Sequence, residues 1–510
     1  MQNHHSAYSQ TMRVKPFDIE AKRLICVMNH VDAVELGLFP LDRAEIKNLR
    51  NGRKIVTVVD VTKTMVGENE IGIFKGVKEK LCIKEGGKVE VKPVAKPESV
   101  GFIKKKMDGE ELSEKEIFEI VKDMGENKLS EIETSAFVTA VYIHDYTLDE
   151  IVAMTRAMAG GGMRLKLSRG PVLDKHCIGG TNGRTTMLVV PIIAAAGYMI
   201  PKTSSRSITS AAGTADVMEV LANVSLPLAK IKKITETVGG VVAWGGALDL
   251  APVDDEIVKI EHSFSLDPVG QVIASVMAKK ASVGSKYLVV DLPIGPEVKI
   301  RTREIGEDMA RKFIVVGEKL GMHVEAILTD GTQPCGRAFG PALEAKYIME
   351  ILEGRFFDNL AQKGCELAGA LLELAGGAKK GEGKAIAREI LRSGKALKKM
   401  QEIIKAQGAR CLTSNEVGLS NMTKTVYATE SGEISAINLR KCINISRIAG
   451  SPSDKKAGMF LHVNAGDMIK NGQPVFTIYG ENKRKLQLAE KYAKKAGAVE
   501  LQRIVLETMQ

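Results

Sequence analysis

The segment DKHCIGGTNGRTT, residues 174–186, concentrates groups that could hold an anion. It follows an apolar run and leads into TMLVVPIIAAAG, which reads as a helix. Glycines at 179, 180 and 183 would let the backbone come close to a phosphate, and the N–H groups and dipole at the next helix start would attract it. Lys175 supplies a mobile positive charge, and Thr185 and Thr186 add hydroxyl donors. The spacing is not that of a P-loop, because Arg184 follows Gly183 where that motif has lysine. A glycine-rich strand–helix turn also occurs as plain structure, and composition alone leaves both readings open.

A second polar stretch is KTSSRSITSAAGTAD, residues 202–216, with seven Ser/Thr residues and one Arg among small residues just before a helix. Such hydroxyls suit phosphate and ribose oxygens; the plain alternative is a solvated loop with local backbone hydrogen bonds. Two such loops at neighbouring strand ends favour a ligand crevice there. A third stretch is HSFSLDPVGQVIASVMAKK, residues 262–280. Asp267 before Pro268 has the form of a helix cap followed by proline at the first helical position, and it is equally placed for catalysis. Ser275 and Lys279, at i and i+4, share one helix face, whereas Lys279-Lys280 is a pair expected in solvent.

The elements that must position these loops follow from periodicity. KIVTVVDVTKT (54–64) is β-branched, and EIGIFKGV (70–77) and KVEVKPV (88–94) alternate in period two, so a β-rich domain is expected over 1–97, with a packing or assembly task. VKPVAKPESVG (91–101), with two prolines, reads as a linker. Ser113 with Glu116, Ser130 with Glu133, and Thr147 with Glu150 have capping-box spacing before apolar-periodic runs, predicting a helical lobe over 98–169 with an inserted part at about 253–283. LVVPIIAAAGYMI, KYLVVDLPI and HVEAILTDG are short apolar runs separated by helical stretches, so residues 170–425 read as an α/β domain with a mixed, helix-covered sheet. GEISAINL, AGDMIKNGQPVFTIYG and the helix KRKLQLAEKYAKKAG predict a C-terminal α+β domain over 426–510. AGDMIKNGQPVFTI is similar to a lipoyl-type hairpin sandwich, but SDKKAG (453–458) matches the modified-lysine turn only loosely, and a structural sandwich is the expectation.

The chain of 510 residues is 44% hydrophobic and 26% charged, which excludes a disordered or fibrous protein. Its 72 Lys+Arg against 62 Asp+Glu leave +10, weak for a nucleic-acid binder and compatible with anionic small molecules or a lysine-rich surface. Seven scattered cysteines without a CxxC pair point to reduced thiols in the cytoplasm, and no metal or other cofactor is implied. His4 and His5 read as part of a disordered terminus. No apolar run suits a membrane span, and the first residues lack a signal-peptide core.

Together these motifs resemble the thymidine/pyrimidine-nucleoside phosphorylase superfamily. DKHCIGGTNGRTT is similar to its phosphate loop and SSRSITSAAGTAD to its second loop; LAP (250–252), ASVMAKK (274–280) and TDGTQPCGRAFGPALE (329–344) also match, over roughly residues 100–500. The N-terminal β domain and the form of the second loop resemble the archaeal AMP phosphorylase branch, whose members phosphorolyse nucleoside 5′-monophosphates. The resemblance implies that Lys175, Thr186, Ser204 and Thr214 face the attacking phosphate. It implies that Gly179, the run Ser205, Arg206, Ser207, Ile208, Thr209 and Ser210, then Thr214, Ser275 and Lys299 bind the nucleotide, and that Asp267 is the proton donor. Two positions depart from the pyrimidine-nucleoside enzymes: Ile260-Glu261 stands where they have a base-contacting arginine, and Ser210 where they have histidine. The resemblance also implies a homodimer through the helical lobe, or a larger homo-oligomer, and closure of that lobe on the α/β domain around the ligand.

The expected reaction is phosphorolysis of AMP to adenine and ribose 1,5-bisphosphate. Three other readings stand beside it. A thymidine phosphorylase would act on thymidine. An anthranilate-type phosphoribosyltransferase would need Mg²⁺, for which no suitable acidic pair is evident. A nucleotide sensor would bind AMP without turnover.

Overall fold

The computed structural model describes residues 8–21, 24–179, 184–207, 210–248 and 250–502. The chain divides into two compact units, Met1–Gly161 with Pro252–Val272, and Gly162–Ala251 with Ile273–Gln510.

The first unit opens with a closed barrel of β1 (Gln10–Phe17), β2 (Ile25–Asn29), β3 (Arg43–Asn48), β4 (Lys54–Thr62), β5 (Glu70–Phe74) and β6 (Lys88–Val94), in the order β1-β5-β2-β4-β3-β6. The β1–β5 and β2–β4 pairs are parallel and the others antiparallel. Met12, Met28, Ile46, Ile71, Ile73 and Val91 fill its interior. Helices α1 (His30–Glu35) and α2 (Lys75–Leu81) lie between strands. The alternating run expected over 70–77 stops at Phe74, because Val77 and Leu81 recur at i and i+4 and are buried on one face of α2. The expected linker over 91–101 is mostly structure. Pro93 and Val94 pair with β3, and only four residues separate β6 from α3 (Ser99–Met107).

Helices α4 (Glu114–Gly125), α5 (Glu131–His144) and α6 (Leu148–Gly160) all start on the expected capping boxes. In each, the hydroxyl of Ser113, Ser130 or Thr147 accepts the third residue's N–H at 3.2–3.4 Å, and that residue's carboxylate takes the cap N–H at 2.7–2.8 Å. Such a cap stabilises a helix by about 1 kcal/mol. Glu150 does more: it is buried and also holds the Lys106 ammonium at 2.9 Å and the Leu112 N–H. Arg43 of the barrel binds the Glu133 carboxylate and the Lys128 carbonyl, fastening barrel to helices. Helix α10 (Pro252–Phe264) packs on α4, α5 and α6.

The second unit carries parallel strands. β7 (Leu173–Cys177), β10 (Tyr287–Ile294) and β11 (His323–Asp330) pair in the order β11-β10-β7, and β8 (Ile200–Ser204) pairs with β9 (Gly240–Trp244). A bridge between Val172 and Met199 joins the two sets. The apolar run 188–200 is not one sheet element. Its first part lies in α7 (Thr186–Ala195), whose side chains are almost all buried, and only Ile200 enters β8. Helices α8 (Thr214–Leu221), α9 (Leu228–Val238), α11 (Val269–Ser282, whose first four residues belong to the first unit), α12 (Arg303–Lys319), α13 (Pro341–Leu352), α14 (Asn359–Leu374), α15 (Gly383–Arg392) and α16 (Lys395–Gln407) complete this part. Within it, β12 (Ala338–Phe339) pairs antiparallel with a C-terminal strand, so both strand directions occur.

That C-terminal region contains β13 (Thr423–Tyr427), β14 (Gly432–Ile437), α17 (Leu439–Ala449), β15 (Gly458–Leu461), β16 (Met468–Ile469), β17 (Pro474–Tyr479), α18 (Lys483–Ala496) and β18 (Val499–Leu501). Its strands form antiparallel sheets, β12-β15-β17-β13 and β16-β14-β18. Among the described residues no helix is long and apolar enough to cross a membrane.

Candidate active site

Strand β7 delivers Asp174 and Lys175 into the interior, at 0% and 1% exposure. The Lys175 ammonium donates to Thr185 Oγ1 at 2.8 Å and stands 3.6 Å from Asp291 Oδ2. Thr185 is the residue before α7, and its side chain makes no capping bond to the helix backbone. The lysine is thereby held beside a helix start, with Thr186 as the first helical residue. Gly179 has φ +105, and a Cβ there would sit 3.1 Å from the backbone N and Cβ of Lys299, so the first loop and the loop after β10 touch through a position that requires glycine. Gly180 and Gly183, expected in the same cradle, lie outside the described residues, as do Ile208 and Thr209 of the second loop and His4 and His5.

Around Lys175 lies a buried charge cluster. Asp174 accepts from Lys280 at 2.7 Å and has Lys202 at 3.5 Å, while Lys202 donates to the Lys175 carbonyl at 2.7 Å. Asp291 accepts from Thr329 at 2.6 Å and pairs with Lys363 at 3.1 Å. Burial works to raise the Asp174 carboxyl, but Lys202 and Lys280 outweigh it and hold the group below the usual carboxylate range. Four lysines face two carboxylates, and burial lowers the Lys202 ammonium in response. Burial and the surrounding Lys202, Lys280, Lys175 and Lys279 push His176 well below the usual imidazole value, so it is neutral at pH 7. A bound anion relieves such an excess of positive charge. Lys280 corrects the sequence expectation: it is 1% exposed and paired with Asp174, not solvated. Lys279 is half-buried and reaches Ser275 Oγ at 3.5 Å, as the shared helix face predicts.

The second loop leaves β8 at Ser204 and enters α8 at Thr214. Asp216 folds it back: one carboxylate oxygen takes the N–H groups of Ser207 and Gly213 at 2.8 and 2.9 Å. Gly213 is obligatory, since a Cβ would fall 2.6 Å from the Ser205 carbonyl oxygen, the Arg206 carbonyl carbon and the Ser207 nitrogen. The Ser207 hydroxyl donates to the Ser210 carbonyl, and the Ser210 hydroxyl to that of Ala212. Arg206, expected to bind nucleotide, has its guanidinium turned onto Glu219 and Asp216 and stacked on Trp244 at 4.7 Å. Hydrogen bonding to Glu219 raises the arginine further, and the same bonds hold Glu219 down at about 2.

Two further braces were not legible in the motifs. Arg184, at the strained φ of 49°, donates to Ser210 Oγ and the Ala212 carbonyl, tying the first loop to the second. From the C-terminal region, Arg447 donates to the Ser210 carbonyl, Ser451 to that of Ala211, and Lys455 pairs with Asp216 and Glu219 at 3.2 and 2.9 Å. Lys455 is the first of the two lysines of SDKKAG, and its ion pairs brace the second loop. Asp267 belongs to the first unit, exposed in the connection between α10 and α11. Just beyond it, the Gly270 N–H docks on the Asp145 carboxylate at 2.9 Å, fixing the start of α11. No cluster of three or more His, Cys, Asp or Glu suited to a metal occurs among the described residues.

Residues 100–160 match the model of the glycosyl transferase family helical bundle domain, residues 169–397 that of the glycosyl transferase family a/b domain, and residues 447–500 that of the pyrimidine nucleoside phosphorylase C-terminal domain. The chain is 43% identical over 502 residues to the AMP phosphorylase of Methanococcoides burtonii, covering 98% of this chain and 99% of that one. To the AMP phosphorylase of Thermococcus kodakarensis it is 45% identical over 498 residues, covering 97% and 98%. In fold it is similar to anthranilate phosphoribosyltransferase from Thermus thermophilus, with a TM-score of 0.53 and 21% identity over 60% of this chain and 98% of that one. Identity of this extent, through barrel, helical lobe, α/β part and C-terminal region alike, makes the chain a member of the AMP phosphorylase family.

Proposed function

We infer that this chain splits AMP with inorganic phosphate, releasing adenine and ribose 1,5-bisphosphate. The observation that carries the reading is the match over 97–98% of the chain to proteins named AMP phosphorylases. The buried lysine majority beside the start of α7 supports it, because such a reaction needs a site for a free anion.

The phosphate is the nucleophile. Its oxygen bonds to the ribose anomeric carbon as the bond from that carbon to adenine nitrogen breaks. The breaking bond's electron pair leaves with the base, which takes a proton from Asp267. No enzyme nucleophile takes part, so the protein's contribution is orientation, charge stabilisation and proton donation. Lys175, Thr186, Ser204 and Thr214 hold the attacking phosphate. Gly179, the loop Ser205–Ser210, Thr214, Ser275 and Lys299 hold the nucleotide, with Arg206 acting by bracing its loop through Glu219. The exposed Ile132, Tyr142 and Ile143 on α5 give the helical lobe a surface suited to a second copy, so the working form is at least a homodimer. Seven scattered cysteines without a CxxC pair fit a cytoplasmic enzyme.

The test supplies AMP or thymidine, each with phosphate, and follows free base by chromatography. Adenine with ribose 1,5-bisphosphate is expected from AMP. Thymine without adenine would replace this reading with a thymidine phosphorylase, and tight AMP binding without any product would replace it with a sensor. Light scattering reads the oligomeric state; a monomer at working concentration removes the dimer.

A further inference from the structure

We propose that Asp291 is a positioning residue for phosphate, acting with Thr329 and Lys363 to aim the ammonium of Lys175. The proposal rests on the assignment of Lys175 to phosphate made above.

Asp291 lies within β10, the central strand of its set, in register with Cys177 of β7 and Ile327 of β11. It is 1% exposed. Its two oxygens are used differently. Oδ1 accepts from the Thr329 hydroxyl at 2.6 Å and from Lys363 at 3.1 Å, and Lys363 also donates to Thr329 Oγ1 at 2.9 Å, closing a triangle that fixes the carboxylate plane. Oδ2 faces the Lys175 ammonium at 3.6 Å, and the Cys177 thiol also donates to this carboxylate. Lys363 and Thr329 already serve Oδ1, so satisfying this carboxylate does not by itself require Oδ2 to be turned toward Lys175. The pairing constrains a lysine carried on a flexible four-carbon stem. Thr185 accepts from one side of the ammonium, Asp291 attracts it from another, and the remaining donor capacity is set by these two. The cluster keeps the carboxylate charged: burial would raise Asp291, but Lys175 and Lys363 hold it below the usual range.

The experiment measures the KM for phosphate at saturating AMP, and the KM for AMP at saturating phosphate, in Asp291→Asn, Thr329→Val and Lys175→Met. Asp291→Asn should raise the phosphate KM by about tenfold or more, with the AMP KM within about twofold. Thr329→Val, near-isosteric and charge-neutral, should move the phosphate KM the same way by about threefold, and it serves should Asp291→Asn fail to fold. Combining Asp291→Asn with Lys175→Met should add little beyond Lys175→Met alone, since the first acts through the second. A phosphate KM at the wild-type value in both Asp291→Asn and Thr329→Val, with Lys175→Met impaired, overturns the proposal, as does an equal rise in both KM values. Lys175→Met with an unchanged phosphate KM would show instead that Lys175 itself was misassigned.

Discussion

Arg206 and Glu219 form a two-pronged ion pair, each terminal guanidinium nitrogen 2.7 Å from its own carboxylate oxygen. This fork spans the mouth of the second loop, from just after β8 to the middle of α8, and Lys455 of the C-terminal region grips the same carboxylate. The loop's one arginine thereby braces it from outside, as the bonds of Ser207, Ser210 and Gly213 do from within.

The fork has a pH signature. An unfolded glutamate titrates near 4.3, whereas Glu219 is held at about 2 in the fold, chiefly by Arg206. A carboxyl lowered by folding contributes stability that is complete above its unfolded value and is lost as pH falls toward its folded one. The stability difference between wild type and Glu219→Gln, read from urea melts, should be constant from pH 7 to about 5 and should shrink between about pH 4 and 2. A difference that stays constant down to pH 2 refutes the pairing.

Gly213→Ala should disorder the second loop, because its new methyl would sit 2.6 Å from backbone atoms that cannot swing away as a side chain end can. We expect the AMP KM to rise by about tenfold or more and stability to fall by about 1–3 kcal/mol. Gly101→Ala, in α3 with open space at its Cβ, is the control and should stabilise by about 0.5 kcal/mol. Equal melting temperatures and AMP KM values for Gly213→Ala and wild type would contradict the steric reading.

The neighbouring lysines of α11 should behave differently. Lys280→Met strands the buried Asp174 carboxylate on Lys202 and should cost about 3 kcal/mol in denaturant unfolding. Lys279→Met, at a half-buried position, should cost less than about 1 kcal/mol. Similar losses at both positions would mean that the Asp174 cluster does not support the fold.

Asp267→Asn should lower kcat by about a hundredfold or more while leaving the AMP KM within a few-fold, as expected for removal of a general acid. Steady-state assays with varied AMP decide it. An unchanged kcat would leave Asp267 as a helix cap.

What the sequence determined was local. The three capping boxes, the barrel strand Lys88–Val94, the shared face of Ser275 and Lys279 and the two glycine/hydroxyl loops are legible because their hydrogen bonds close within a few residues, or because backbone period alone dictates the face. The motifs were ordered enough to indicate the family. Tertiary structure decided which charges meet. Asp174 and Lys280 are 106 residues apart, Thr329 and Asp291 38, and Ser451 reaches Ala211 across 240. Nothing in the composition of a Lys-Lys pair says that one ammonium enters the core. That follows only when β7 is set beside β10 and α11 brings Lys280 to its buried aspartate, where desolvation leaves each charge little choice but to find the other.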